Sequence, residues 1–141
     1  METGTAFTTL DFDAGERFVG LRRDLGVTSL GLNLVLLEPG QQGRVHRHER
    51  QEEVYIVLEG VLTLELDGGE IRELRRWDAA RVAPEVRRRL VNRGPERLAL
   101  LAMGGTGQHR GRDGLAWESW ESGGEGRPPQ EVPLPPDLPS G

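Results

Sequence analysis

Two histidines and a glutamate stand close together between Gly40 and Gly60, in GQQGRVHRHERQEEVYIVLEG: His46, His48 and Glu53. Neutral imidazole nitrogens and carboxylate oxygens suit Fe(II), Mn, Zn, Ni or Cu. Two histidines plus one carboxylate leave coordination positions open, which is the arrangement of many non-haem iron oxygenases. An H-x-H pair alone is also common on surface strands, so the third donor and its placement decide how much weight the pair carries.

The elements that must position these groups are strands. Side chains two apart on an extended strand point the same way, so His46 and His48 share a face. The step from His48 to Glu53 is odd and would fail on one strand. Glu49-Arg50-Gln51-Glu52 is wholly polar, however, and reads as the break before a new strand, VYIVLEG, so that the imidazoles and the carboxylate are expected on neighbouring strands. Tyr55 and Val57 share the face of Glu53. Tyr55, the chain's single tyrosine, either enters the pocket as a donor or weak acid, or packs with its hydroxyl satisfied.

The rest of the chain is punctuated the same way. RFVGLRR, Arg17 to Arg23, reads as a short strand with Asp24-Leu25-Gly26 as its turn, and Thr28 to Glu38 as a buried strand ended by Pro39-Gly40. Asn33 within it is expected to be buried and structurally hydrogen-bonded. Val54 to Leu58 and Val61 to Leu66 follow, then an Asp67-Gly68-Gly69 hairpin turn into Glu70 to Leu74. Further strands are expected at Ala79 to Ala83, Arg87 to Asn92 and Leu98 to Met103. Short strands with a turn every eight to twelve residues and no convincing helix predict an all-β sandwich or barrel. Gly104 to Gly107 fits no phosphate-binding spacing and reads as a loop, and His109 as a surface histidine. Trp117 and Trp120, three apart in Leu115 to Glu121, suggest a short helical turn covering an open edge of the barrel.

The 141 residues divide into an N-terminal arm (1–16), one barrel domain (17–121) and a Pro/Gly-rich tail (122–141). The arm is expected to be loose or laid along a neighbour. The tail should be an extended strap or disordered, with Val132, Leu134 and Leu138 pointing to docking, a second subunit being one candidate surface. There is no cysteine, which excludes disulfides, thiolate metal sites and a cysteine nucleophile. There is no lysine either, which excludes Schiff-base chemistry. A net charge of −5 argues against nucleic acid as the partner despite Arg87-Arg88-Arg89. No signal-like or membrane-spanning run occurs, so no membrane partner and a cytoplasmic location are expected.

Gly40, five residues, His46, one, His48, four, Glu53, six, Gly60 resembles the first motif of the cupin superfamily at every fixed position. The resemblance implies a small double-stranded β-helix or jelly-roll barrel, a homodimer, and a divalent ion (Fe, Mn, Ni or Zn) held by His46, His48 and Glu53. The second motif, in outline G-x5-P-x-G-x2-H-x3-N, is matched in part by Trp77 to Asn92. Pro84 and Asn92 are in place, with one residue of length difference around Pro84. Trp77 replaces the turn glycine, and Arg88 stands where the fourth ligand, a histidine, is usual.

Arginine cannot ligate a metal because it keeps its proton. Three arrangements are open. Arg88 swings outward and leaves a three-ligand site, or pairs with Glu53 and closes the site to metal, or stays inward beside a metal and orients an anionic substrate group while Tyr55 assists. The functional expectation is a metal-binding barrel acting on or binding a small polar or anionic metabolite, an oxygenase or isomerase being the enzyme classes in view. The competing expectation is a metal-free anion-binding or regulatory module.

Overall fold

Gly31 to Leu37 carries a single polar side chain, Asn33, because both of its faces are largely covered. In the computed structural model, which describes residues 4–105 and 113–139, this segment lies inside a sheet covered on both sides. The strands are β1 (Phe18–Gly20), β2 (Gly31–Leu37), β3 (Val45–His48), β4 (Glu52–Glu59), β5 (Leu62–Leu66), β6 (Ile71–Leu74), β7 (Ala79–Val82), β8 (Arg88–Val91), β9 (Leu98–Gly105) and β10 (Gly114–Trp117). They form two antiparallel five-stranded sheets, ordered β1-β2-β9-β4-β7 and β10-β3-β8-β5-β6. The all-β barrel expectation holds.

The facing sides of the two sheets enclose the core. Val35 and Leu37, Tyr55 and Val57, Leu62 and Leu64, Leu90, and Leu98 and Leu100 alternate inward along their strands and pack together. On the first sheet the out-of-step residues, Leu34, Leu36 and Ala99, are buried as well, under Leu10, Phe12 and Ala14 of the N-terminal arm. The arm is therefore laid across its own barrel, where Arg97 holds it through the Phe12 carbonyl at 3.1 Å and Asp13 at 2.8 Å. A sheet buried on both faces reads as a continuous apolar run, as β2 does.

Several local expectations shift. The strand expected over Arg17 to Arg23 shortens to β1, and Arg22–Leu25 forms one helical turn, α1, closed by Gly26 in the left-handed region at φ 70°. β9 runs on through Gly104 and Gly105, which pair with Gly31 and Glu52, so the first half of the expected loop is strand, and Thr106 and Gly107 lie outside the described residues. The helical turn expected at Leu115 to Glu121 is instead a strand at its start. Gly114 to Trp117 pair with His48 to Val45, because β3 is otherwise an open edge, and edge pairing outweighs the local helical spacing of the two tryptophans. Trp117 is buried with the Arg87 guanidinium 4.0 Å from its ring centre. His109 lies outside the described residues.

The tail lies along its own barrel. Val132 is 1% exposed, Leu138 N–H donates to the Gly40 carbonyl at 2.8 Å, and the Gln42 side chain donates to the Pro136 carbonyl at 3.0 Å. Among the described residues no helix is long and apolar enough to cross a membrane.

Candidate metal centre

The three predicted ligands meet inside the barrel, but not on adjacent strands. β3 and β4 belong to opposite sheets, so the polar turn Glu49 to Gln51 carries the chain across the barrel and Glu53 faces the histidines over its interior. This corrects the neighbouring-strand expectation. The turn is held by one distant carboxylate: Asp113 Oδ2 accepts the backbone N–H groups of Glu49, Arg50 and Gln51 at 3.1, 2.9 and 2.9 Å. Burial would raise the Asp113 carboxyl, but these backbone bonds and the nearby His48 lower it on balance.

His46 Nε2 lies 3.5 Å from Glu53 Oε1, and His48 Nε2 lies 3.5 Å from Glu53 Oε2. One donor atom from each residue falls within 4.8 Å of the others. The rings stand edge to face, centroids 5.7 Å apart. His46 Nδ1 faces the Arg44 carbonyl at 3.1 Å, and a carbonyl only accepts, so Nδ1 carries the proton. A neutral His46 therefore presents its Nε2 lone pair to a carboxylate lone pair.

That gap takes a cation, either a second proton on the ring or a metal ion shared by both groups. Two donors about 2.1 Å from one tetrahedral ion are about 3.4 Å apart, so the spacing fits a first-row divalent metal. The second ring shares only the Nε2 side of this pattern. His48 Nδ1 is buried without a hydrogen bond, 3.7 Å from Asp113 Oδ2, and its Nε2 faces Glu53. The donor set fits a metal ion, and His46, His48 and Glu53 could hold one.

Arg88 occupies the fourth side. It is directly opposite His46 in the β3–β8 register and is fully buried. Its Nη1 donates to the Val86 carbonyl at 2.6 Å and the Pro84 carbonyl at 3.3 Å, its Nε to the Tyr55 hydroxyl at 3.3 Å, and its Nη2 to Glu53 Oε1 at 3.2 Å. The Tyr55 hydroxyl in turn donates to the same Glu53 oxygen. Of the three arrangements, Arg88 shows the pairing of the second, lying on Glu53 Oε1 and leaving Oε2 directed at His48.

Burial would raise the Glu53 carboxyl, yet the two facing imidazoles, when Nε2 carries a proton, and the Arg88 charge lower it well below the usual carboxylate range. Tyr55 moves the other way. Burial and the Glu53 charge push its hydroxyl well above the usual phenol, with Arg88 only partly offsetting them. Burial works against the Arg88 charge, but Tyr55 and Glu53 outweigh it and its pKa rises.

A cavity of about 760 Å³ opens beside the triad, reaching His48 and Glu53. Gln51 and Asn33 line it, as do Arg22, Arg23, Glu16 and Asp24. Asn33 is half-buried on the cavity wall and has no side-chain hydrogen bond among the described residues, which corrects the expectation of a satisfied buried amide. Sequence reasoning missed Asp113 and Gln51. A turn of three consecutive N–H groups that needs an acceptor was the only signal, and nothing local says which acidic residue supplies it.

The cupin-domain family model matches residues 33–104, just over half of the chain. Among solved structures, a cupin protein from Bacteroides fragilis is similar at TM-score 0.66 and 24% identity, over 79% of this chain and 92% of its own. A sugar phosphate isomerase of the cupin superfamily from Silicibacter pomeroyi is similar at TM-score 0.64 and 25% identity, over 90% of this chain and 96% of its own. A Cupin 2 conserved barrel domain protein from Salinispora arenicola is similar at TM-score 0.57 and 23% identity, over 69% and 81%. No curated protein matches the chain. With two facing antiparallel sheets, the family's first motif intact and a second motif altered at Trp77 and Arg88, the chain belongs to the cupin family.

Proposed function

We propose that this cupin holds a divalent metal at His46, His48 and Glu53 and acts on a small anionic, polyhydroxylated metabolite, with sugar phosphates as the substrate class. The observation that carries the metal is the pair of facing lone pairs, His46 Nε2 and Glu53 Oε1, 3.5 Å apart with Nδ1 committed to a carbonyl. When bound, the ion supplies Lewis acidity, polarising a substrate carbonyl or acidifying a hydroxyl. Arg88 and Tyr55 hold one Glu53 oxygen and keep the carboxylate ionised and oriented; being buried, they position the ligand rather than touch substrate.

The cavity supports the substrate class. Asn33 presents an amide that suits hydroxyl groups, and the Arg22 and Arg23 guanidiniums on the cavity wall suit a phosphate. The similarity to the Silicibacter pomeroyi sugar phosphate isomerase at 25% identity points the same way.

One observation favours a second reading, a metal-free anion-binding module: Arg88 already neutralises Glu53 at 3.2 Å. Elemental analysis of protein purified without chelator, beside a His46→Ala/His48→Ala control, separates the two. Near one ion per chain, lost in the control, is expected, followed by a rise in melting temperature with sugar phosphates. Absence of metal after loading with Fe(II), Mn, Ni and Zn would sink the metal reading in favour of the module.

A further inference from the structure

Arg88 is a fixed cation in the place where a neutral fourth ligand would sit, and its geometry bears on more than stability. Pro84, Val86, Tyr55 and Glu53 occupy its donors, so it is anchored by four partners rather than free to swing away when an ion arrives. Its Nη2 is 3.2 Å from the carboxylate that would hold the ion, so guanidinium and ion would share Glu53.

Two consequences follow for charge and for coordination. The one carboxylate of the triad is balanced by Arg88, and two neutral imidazoles add nothing, so a divalent ion brings its full charge into a half-buried site. Asp113, 3.7 Å from His48 Nδ1, compensates part of it from behind the ring. At the cavity wall Glu16 and Asp24 stand against Arg22 and Arg23, which leaves no net negative charge there. Excess charge at reduced dielectric is unfavourable until an anion joins it. The protein also offers no fourth ligand from β8, so a position toward the cavity stays open for an exogenous one.

We infer that Arg88 makes cation binding conditional on an anion, so that the metal and an oxyanion of the phosphate class bind with strong positive coupling. The inference rests on the metal reading above and adds to it. By linkage the coupling is reciprocal: phosphate tightens the ion as much as the ion tightens phosphate. A histidine at this position would instead add a neutral ligand and remove the extra charge, weakening the coupling while tightening the ion.

The test is Mn(II) titration of the full chain, read by the electron paramagnetic resonance signal of free Mn(II), in chloride and then in inorganic phosphate at equal ionic strength, each with a protein-free blank. Phosphate is expected to lower the Mn(II) Kd by about 10-fold or more. In Arg88→His the chloride Kd should fall and the phosphate effect shrink below about 3-fold. Mn(II) binding to the wild-type chain with a Kd unchanged by phosphate overturns the inference and leaves the metal reading standing. Undiminished coupling in a folded Arg88→His variant also overturns it. Failure of Mn(II), Fe(II), Ni(II) and Zn(II) to bind in either anion removes the metal reading itself, and the inference with it.

Discussion

Gly60 and Trp77 hold the backbone in the same unusual conformation, at φ 80° and 75°, Gly60 ending the first cupin motif and Trp77 opening the second. One is glycine, the other the largest side chain. At Gly60 an added Cβ would run into the Arg97 carbonyl oxygen and approach the Leu98 Cα to 3.0 Å, where β9 is immovable in the core. Trp77 is 66% exposed, its N–H donates to the Val57 carbonyl at 2.8 Å, and its ring carries the Arg76 guanidinium 4.7 Å from the centroid. Positive φ thus makes glycine favourable, while the surroundings decide whether anything else is tolerated. The first motif is hemmed in and keeps its residues. The second is open at Trp77 and, at Arg88, rebuilt around a different buried group.

The sharpest way to break this contrast is Gly60→Ala, expected to lose about 4 kcal/mol or more, because strain and a backbone clash add. A urea midpoint close to the wild-type value would show that β9 yields. Arg88→Met leaves the buried Glu53 carboxylate without its ion pair and should cost about 3 kcal/mol; a neutral result in denaturation would mean the imidazoles alone satisfy Glu53. Asp113→Ala removes the acceptor of three turn N–H groups. It should cost about 2 kcal/mol and speed hydrogen exchange at Glu49 to Gln51. Smallest and opposite in sign, Trp77→Gly should stabilise by about 0.5 to 1 kcal/mol, relief of the left-handed conformation outweighing the lost ring contact. A destabilised Trp77→Gly would mean the Arg76 contact matters more than the backbone.

The triad was legible because all three residues fall within one motif whose spacing follows from strand alternation and a polar turn. Its placement across two sheets was not, since alternation fixes a face but not which sheet a strand joins. Arg88 was legible as a substitution but not in its orientation, which depends on the β8 register against His46 and on carbonyls at Pro84 and Val86. Asp113 was invisible because it serves a turn more than sixty residues earlier, across a separation of 62 to 64 positions. In the same way the arm's Leu10 and Phe12 look like stray apolar residues until the outer face of β2 and β9 is seen to need a cover.

The strand order also sets when the site can exist. β9 lies between β2 and β4, and β3 lies between β8 and β10. During synthesis the residues of the triad emerge early, yet β4 has no partner until β7 is made and β3 none until β8 is made, with β10 adding the last pairing. A ribosome-bound nascent chain ending before β7 would present two histidines and a glutamate with nothing to fix their separation. Ion loading accordingly waits on strands made well after the motif itself, and a chain stalled short of β7 and β8 should fail to acquire metal even with the whole first motif exposed.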